Sequence, residues 1–175
     1  NSTTSDPDGD SVNFLYLWFV NGANSGITTQ TISNSSFNKN NQLICQITPN
    51  DGTGNGASVN SSALTISNSA PVTNTPTLSP IPAYKTTSTI NCTNGTTTDI
   101  DSDSVTFYYQ WFKNGADAGV TTSTISNSYF NKNDQLICQI MPSDGTTNGT
   151  AQNSSSLTIS NSLPTTTTPT LSPIP

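Results

Sequence analysis

The stretch Val105-Thr-Phe-Tyr-Tyr-Gln-Trp-Phe-Lys-Asn-Gly115 decides the fold, because nearly the same words stand earlier as Val12-Asn-Phe-Leu-Tyr-Leu-Trp-Phe-Val-Asn-Gly22. In the first copy Val12, Phe14, Tyr16 and Trp18 alternate with Asn13, Leu15, Leu17 and Phe19, the period of two that predicts a strand with one face inward. The copies agree on that face and differ on the other, where Leu15 becomes Tyr108 and Leu17 becomes Gln110. The retained face is expected in the core. Asn21-Gly22 and Asn114-Gly115 close the two strands, since Asn and Gly tolerate the positive φ of a tight hairpin turn.

The correspondence extends in both directions, from Asn1 and Asn94 to Pro82 and Pro175, at an offset of about 93 residues. About 58 of the roughly 82 aligned positions are identical, more than a shared fold demands and the mark of tandem duplication. Residues 83–93 have no counterpart in the first copy. The chain opens at Asn1 inside what the repeat makes the middle of a unit, so the sequence is expected to be a segment of a longer periodic protein.

Further strands follow the same reasoning. A weaker one is expected around residues 28–33, and Phe37 (Phe130 in the second copy) is expected to plug the core. Gln42-Leu-Ile-Cys-Gln-Ile47, repeated as Gln135-Leu-Ile-Cys-Gln-Ile140, suits a central strand with Leu136, Cys138 and Ile140 on one face. Pro49-Asn-Asp-Gly52 and Pro142-Ser-Asp-Gly145 end it in turns. Residues 61–67 and 154–160 read as a last strand, with Leu64 and Ile66, or Leu157 and Ile159, inward. Residues 88–92 read as a strand with Ile90 and Cys92 on one face. Short strands, frequent turn signals and no helical period predict an all-β sandwich in two tandem units. The expected boundaries are an incomplete unit at 1–70, a Pro-rich spacer at 71–80, a second unit at 81–163, and a spacer at 164–175 leading into a following repeat. The first spacer merges into the first edge strand of the second unit. Pro71, Pro76, Pro80 and Pro82 favour an extended, stiff backbone there.

Composition narrows the function. The chain has ten acidic residues, all Asp, against four Lys, with no Arg, Glu or His, for a net charge of −6. Such a surface lacks what neutralises phosphates, so nucleic acid and anionic membranes are poor partners and cations better ones. No apolar run approaches the roughly 18 residues that span a bilayer. Without His no serine-hydrolase triad can be assembled, and no Gly-rich phosphate loop or zinc spacing occurs. Asn-X-Ser/Thr acceptors stand at Asn1, Asn34, Asn60, Asn91, Asn94, Asn148 and Asn153. With the cysteines they point to an extracellular or cell-surface, glycosylated protein.

Three cysteines are present, and the repeat orders them: Cys138 is the counterpart of Cys45, while a counterpart of Cys92 would fall before Asn1. A bridge from Cys92 to Cys138 is expected inside the second unit, leaving Cys45 to a partner outside these residues. The order Cys92, Trp111, Cys138 resembles the immunoglobulin pattern of a strand-B cysteine, a strand-C tryptophan and a strand-F cysteine. The phrase Asp6-Pro-Asp-Gly-Asp-Ser-Val12, with Phe14, Tyr16, Trp18, Asn21-Gly22 and Pro49-Asn-Asp-Gly52, resembles the tandem Ig-like and cadherin-like repeats of large microbial surface and S-layer-type proteins. That resemblance covers nearly the whole chain. It implies two Ig-like sandwiches, the first lacking its A and B strands. The segment Gln135-Leu-Ile-Cys138 lacks the tyrosine that antibody domains carry two residues before this cysteine, so no tyrosine corner is carried over.

One constellation carries ligand chemistry. Asp6, Asp8 and Asp10 recur as Asp99, Asp101 and Asp103, and alternating carboxylates on a tight loop can converge on a hard cation such as Ca²⁺. In the resembling fold Asp51 and Asp144 lie at the same end and would add an oxygen ligand. No Glu closes the loop, and Asp, Gly and Ser are also ordinary turn formers. Trp18 and Trp111 sit on inward faces and read as core rather than as sugar platforms. Phe19, Phe112 and Tyr108 form an outward stripe open to a neighbour. The expected function is a non-catalytic stalk or filament-forming repeat of an extracellular surface protein, with an adhesion or glycan-binding module as the alternative. The missing strands are expected from further copies of the repeat, in the same chain or by strand addition from a neighbouring subunit.

Overall fold

A computed structural model describes residues 4–171, and these form strands and turns with one short 3₁₀ turn at Asn34–Ser36 and no α-helix. The chain divides into two compact units, Asn1–Ser69 and Ala70–Pro175.

The first unit is built on β1 (Asn13–Val20) and β3 (Gln42–Asn50), antiparallel along their whole length with Trp18 opposite Cys45. Asn21 and Gly22 both take positive φ, 51° and 79°, and return the chain into the short β2 (Ala23–Asn24). β4 (Val59–Asn60) and β5 (Leu64–Thr65) both pair with β3, giving a single sheet in the order β2-β1-β3-β4. The expected alternation is present, and β3 runs past Pro49, which lies opposite Phe14 instead of ending the strand. The strand expected around residues 28–33 does not form here.

The second unit repeats this sheet and covers it. Its strands are β6 (Val72–Thr73), β7 (Thr77–Ser79), β8 (Thr89–Thr93), β9 (Thr97–Thr98), β10 (Thr106–Lys113), β11 (Ala116–Asp117), β12 (Thr124–Ser126), β13 (Gln135–Ser143), β14 (Gln152–Asn153) and β15 (Leu157–Thr158). β11-β10-β13-β14 corresponds to the sheet of the first unit, with β15 again on the central strand. A second sheet in the order β12-β8-β7 and a short pair β6-β9 complete a sandwich-like arrangement. Ile90 and Cys92 from β8 and Leu78 from β7 share one buried cluster with Trp111, Phe130, Leu136, Cys138, Ile140 and Ile159. Burying each large apolar side chain stabilises by roughly 1.5–3 kcal/mol over leaving it exposed. The Cys92–Cys138 disulfide, spanning 46 residues, ties β8 to β13 across that core.

The stretch 71–80, expected as a spacer, is corrected by this pairing: it supplies β6 and β7 and belongs to the second unit. Pro71, Thr73, Pro76 and Leu78 are its buried residues. Proline lacks the N–H of a ladder donor, and Pro71 and Pro76 accordingly stand just before β6 and β7, the latter an edge strand of its sheet. Within the following stretch, residues 161–171 form no strand.

The same sequence therefore exists in two environments. Trp111, Phe130, Cys138 and Ile140 are fully buried, whereas Trp18, Phe37, Cys45 and Ile47 are only half-buried. Leu43, 3% exposed, is the single buried hydrophobic side chain of the first unit among the described residues. Leu157 is 7% exposed and its counterpart Leu64 is 62% exposed, and among the described residues the β7-β8 layer lies over the second unit's sheet alone. Residues 31–33 match β12 in sequence yet form no strand, since β12 exists by pairing with β8.

Candidate functional site

The aspartate loop of the second unit lies between β9 and β10. Its turn is set by Asp99, whose carbonyl accepts from Ser102 N at 3.2 Å and whose Oδ1 accepts from Asp101 N at 2.8 Å and Asp103 N at 3.3 Å. Ser102 takes φ 63°, which completes the reversal. One carboxylate oxygen from each of Asp99, Asp101 and Asp103 lies within 4.8 Å of the other two, and all three residues are half-buried. Oδ2 of Asp99 is buried without a hydrogen-bond partner. A buried carboxylate oxygen left unsatisfied is costly, and a hard cation is the partner its chemistry fits.

The remaining expected ligands are placed elsewhere. Asp6 repeats the turn, accepting from Asp8 N at 2.8 Å and Asp10 N at 3.3 Å, but Asp8 and Asp10 are exposed. Among the described residues, the only three-carboxylate group is the one in the second unit. Asp144 Oδ1 accepts from Thr146 N and Thr147 N, both at 2.6 Å, while Oδ2 accepts from the Thr147 hydroxyl at 2.8 Å. Both its oxygens are thus engaged in its own turn, and it is not part of the acidic group. Asp51 makes the same turn, and the N–H groups of Gly54 and Thr53 with the Thr53 hydroxyl hold its carboxyl below the usual carboxylate range. Asp134, unmarked in the sequence reading, is lowered similarly, first by the Asn114 side-chain amide and then by Asn131 N.

Cys45 is a half-buried free thiol, and burial pushes its pKa up, which makes it slow to react at neutral pH. Of the glycan acceptors, Asn34, Asn60, Asn91, Asn148 and Asn153 are exposed. Asn94 is half-buried and accepts from the Tyr109 hydroxyl at 2.9 Å. Asn60 and Asn153 accept from Gln46 and Gln139 at 3.0 and 2.9 Å. Asn1 lies outside the described residues. The outward stripe is visible at Tyr108, 59% exposed.

No helix among the described residues is long and apolar enough to cross a membrane. The sequence matches no protein-family model and none of the curated proteins it was compared with.

Proposed function

We propose that the chain is a non-catalytic structural repeat of an extracellular surface protein, with Ig-like units that build a stalk or filament. The observation that carries this reading is the identity between copies: about 58 of roughly 82 aligned positions agree, and the Asn-Gly turns and the Asp-Gly turns at 51–52 and 144–145 are among them. Recognition surfaces diversify in their loops, whereas a spacer needs repetition alone. The disulfide supports an oxidising compartment. The test is small-angle scattering on arrays of increasing repeat number. A constant increment in maximum dimension per repeat is expected; arrays whose dimension stops growing would refute a stalk.

Ca²⁺ at Asp99, Asp101 and Asp103 is part of this proposal, supported by the buried unpartnered Asp99 Oδ2. Bound there, it would neutralise the mutual repulsion of three carboxylates and fix the loop ahead of β10. Thermal melts should show a higher midpoint for the second unit in Ca²⁺ than in chelator, by about 2.7 kcal/mol of added stability at a hundredfold excess over the dissociation constant. Asp99→Asn should remove the difference, and equal midpoints for the parent chain would sink the site.

The alternative, a glycan-binding module, is favoured by one feature: exposed Tyr108 beside Gln110, Gln139 and Met141 around a shallow depression of about 200 Å³. An aromatic face with amides beside it suits a sugar ring. Saturable glycan binding by a single unit, lost in Tyr108→Ala, would move the assignment to this class.

A further inference from the structure

The outward face of the sheet β11-β10-β13-β14 is laid out in rows by its register. Tyr108 stands opposite Met141, and the neighbouring outward row runs across three strands as Gln110, Gln139 and Asn153. Trp111, Cys138 and Ile140, which alternate with them, are buried, so the pleat turns this row to solvent. Gln139 Nε2 donates to Asn153 Oδ1 at 2.9 Å. An Asn amide offers an acceptor oxygen on one side and a donor nitrogen on the other, so a bond that holds Oδ1 turns Nδ2 away from Gln139. Asn153 is exposed, and so is Ser155, the hydroxyl residue of its acceptor triplet.

The first unit has the same arrangement. Gln46 Nε2 donates to Asn60 Oδ1 at 3.0 Å, Leu17 lies opposite Gln46, and Leu15, 52% exposed, stands where the second unit has Tyr108. Asn60-Ser-Ser62 and Asn153-Ser-Ser155 keep the acceptor triplet in both copies. The acceptors at Asn34 and Asn148 are not kept: their counterparts, Asn127-Ser-Tyr129 and Asn55-Gly-Ala57, lack the hydroxyl. Asn94 is half-buried against the Tyr109 hydroxyl, and the Asn74 carbonyl passes over Gly95 too closely for a Cβ, which leaves no space for a sugar.

We propose that Asn60 and Asn153 carry N-linked glycans, and that the first sugars lie along the outward face of their own sheet. In the second unit they run over Gln139 and Met141 toward Tyr108, into the depression of about 200 Å³ at those residues. Met141 is the diagonal neighbour of Asn153, about 7–8 Å away, within reach of the first sugar rings. In the first unit they run over Gln46 toward Leu15. Attachment joins Asn Nδ2 to the anomeric carbon of a sugar diphosphate donor; the bond from that carbon to the phosphate oxygen breaks, the diphosphate leaves with the electron pair, and Nδ2 gives up one proton. Oδ1 stays an acceptor, so the bond from Gln139 survives and orients the linkage. The sugar then covers the apolar stripe and blocks β14, an edge strand of its sheet, from pairing with another sheet. The inference rests on the extracellular reading of the chain and says which positions are modified and where the sugar lies.

The test is the full chain secreted from a eukaryotic host that glycosylates Asn-X-Ser/Thr, its sugars released by amidase in heavy-oxygen water and its peptides weighed. Label is expected at Asn60 and Asn153 and not at Asn94. Ser155→Ala, which leaves Asn153 and its bond to Gln139 in place, should abolish the label at Asn153 alone. Between the parent and this variant the ring signals of Tyr108 should shift, and in the parent they should show cross-relaxation to sugar protons. Unlabelled Asn60 and Asn153, or label at Asn94, would overturn the assignment. A labelled Asn153 with Tyr108 signals unchanged would overturn the placement of the sugar on this face. The scattering of longer arrays is read separately from the sugars, so a failure here is distinguishable from a failure of the stalk reading.

Discussion

Trp111→Ala is expected to cost the second unit about 3–5 kcal/mol, the range for emptying a buried aromatic site, while Trp18→Ala costs the first unit about 1–2 kcal/mol. The two tryptophans hold the same register, each opposite a cysteine of the central strand. Their indole N–H groups donate to equivalent carbonyls, Thr122 at 2.9 Å and Thr29 at 3.0 Å. The hydrogen-bond loss is therefore common to both variants and cancels in the comparison. What differs is cover: Trp111 is fully buried beneath the β7-β8 layer and Trp18 is half-buried. Denaturant melts of the two variants and the parent, with each unit followed by the amide signals of its own central strand, β3 or β13, measure the difference. Equal losses would mean that the first sheet is covered as completely as the second.

Opening the Cys92–Cys138 bridge should have a comparable effect. Closing a loop with a sequence separation of 46 residues is worth roughly 4 kcal/mol in the chain-entropy picture, within the 2–5 kcal/mol range for native bridges. Both cysteines are buried and join the sheets on either side of the core, so the Cys92→Ala, Cys138→Ala double variant should lose that amount with its apolar packing largely kept. Each kcal/mol lowers the midpoint of a domain of this size by about 4–8 °C, and the second-unit transition should fall accordingly. Cys45→Ala, at a half-buried free thiol, should leave that transition where it was. Calorimetry of the three chains decides it; an unchanged second transition in the double variant would remove the bridge from the account of stability.

The long strands were legible because their signal is local. Alternation from Val105 to Trp111 predicted β10, Asn114-Gly115 predicted its turn, and the offset between copies paired Cys92 with Cys138. The stretch 71–80 was misread because its prolines suggest an extended spacer, and only the buried alternation of Pro71, Thr73, Pro76 and Leu78 reveals edge strands. Nor could residues 31–33 be resolved locally: their counterpart β12 is a strand because β8 lies beside it. In the candidate site the Asp99, Asp101, Asp103 spacing was readable, but the engagement of Asp144 by its own turn was not. That turn depends on Thr146 and Thr147 donating to a carboxylate expected to face a cation.

The central claim is that one sheet occurs twice in this chain, covered in the second unit and open in the first. Gln-Leu-Ile-Cys-Gln-Ile is identical in β3 and β13, so away from the cysteine, free in one and bridged in the other, intrinsic exchange is closely matched and amide hydrogen exchange reads the environment. In dilute solution of this chain, residues 135–140 should be protected at least about a hundredfold more than residues 42–47, a gap of some 2.7 kcal/mol in opening free energy. Equal protection in the two hexapeptides would contradict it.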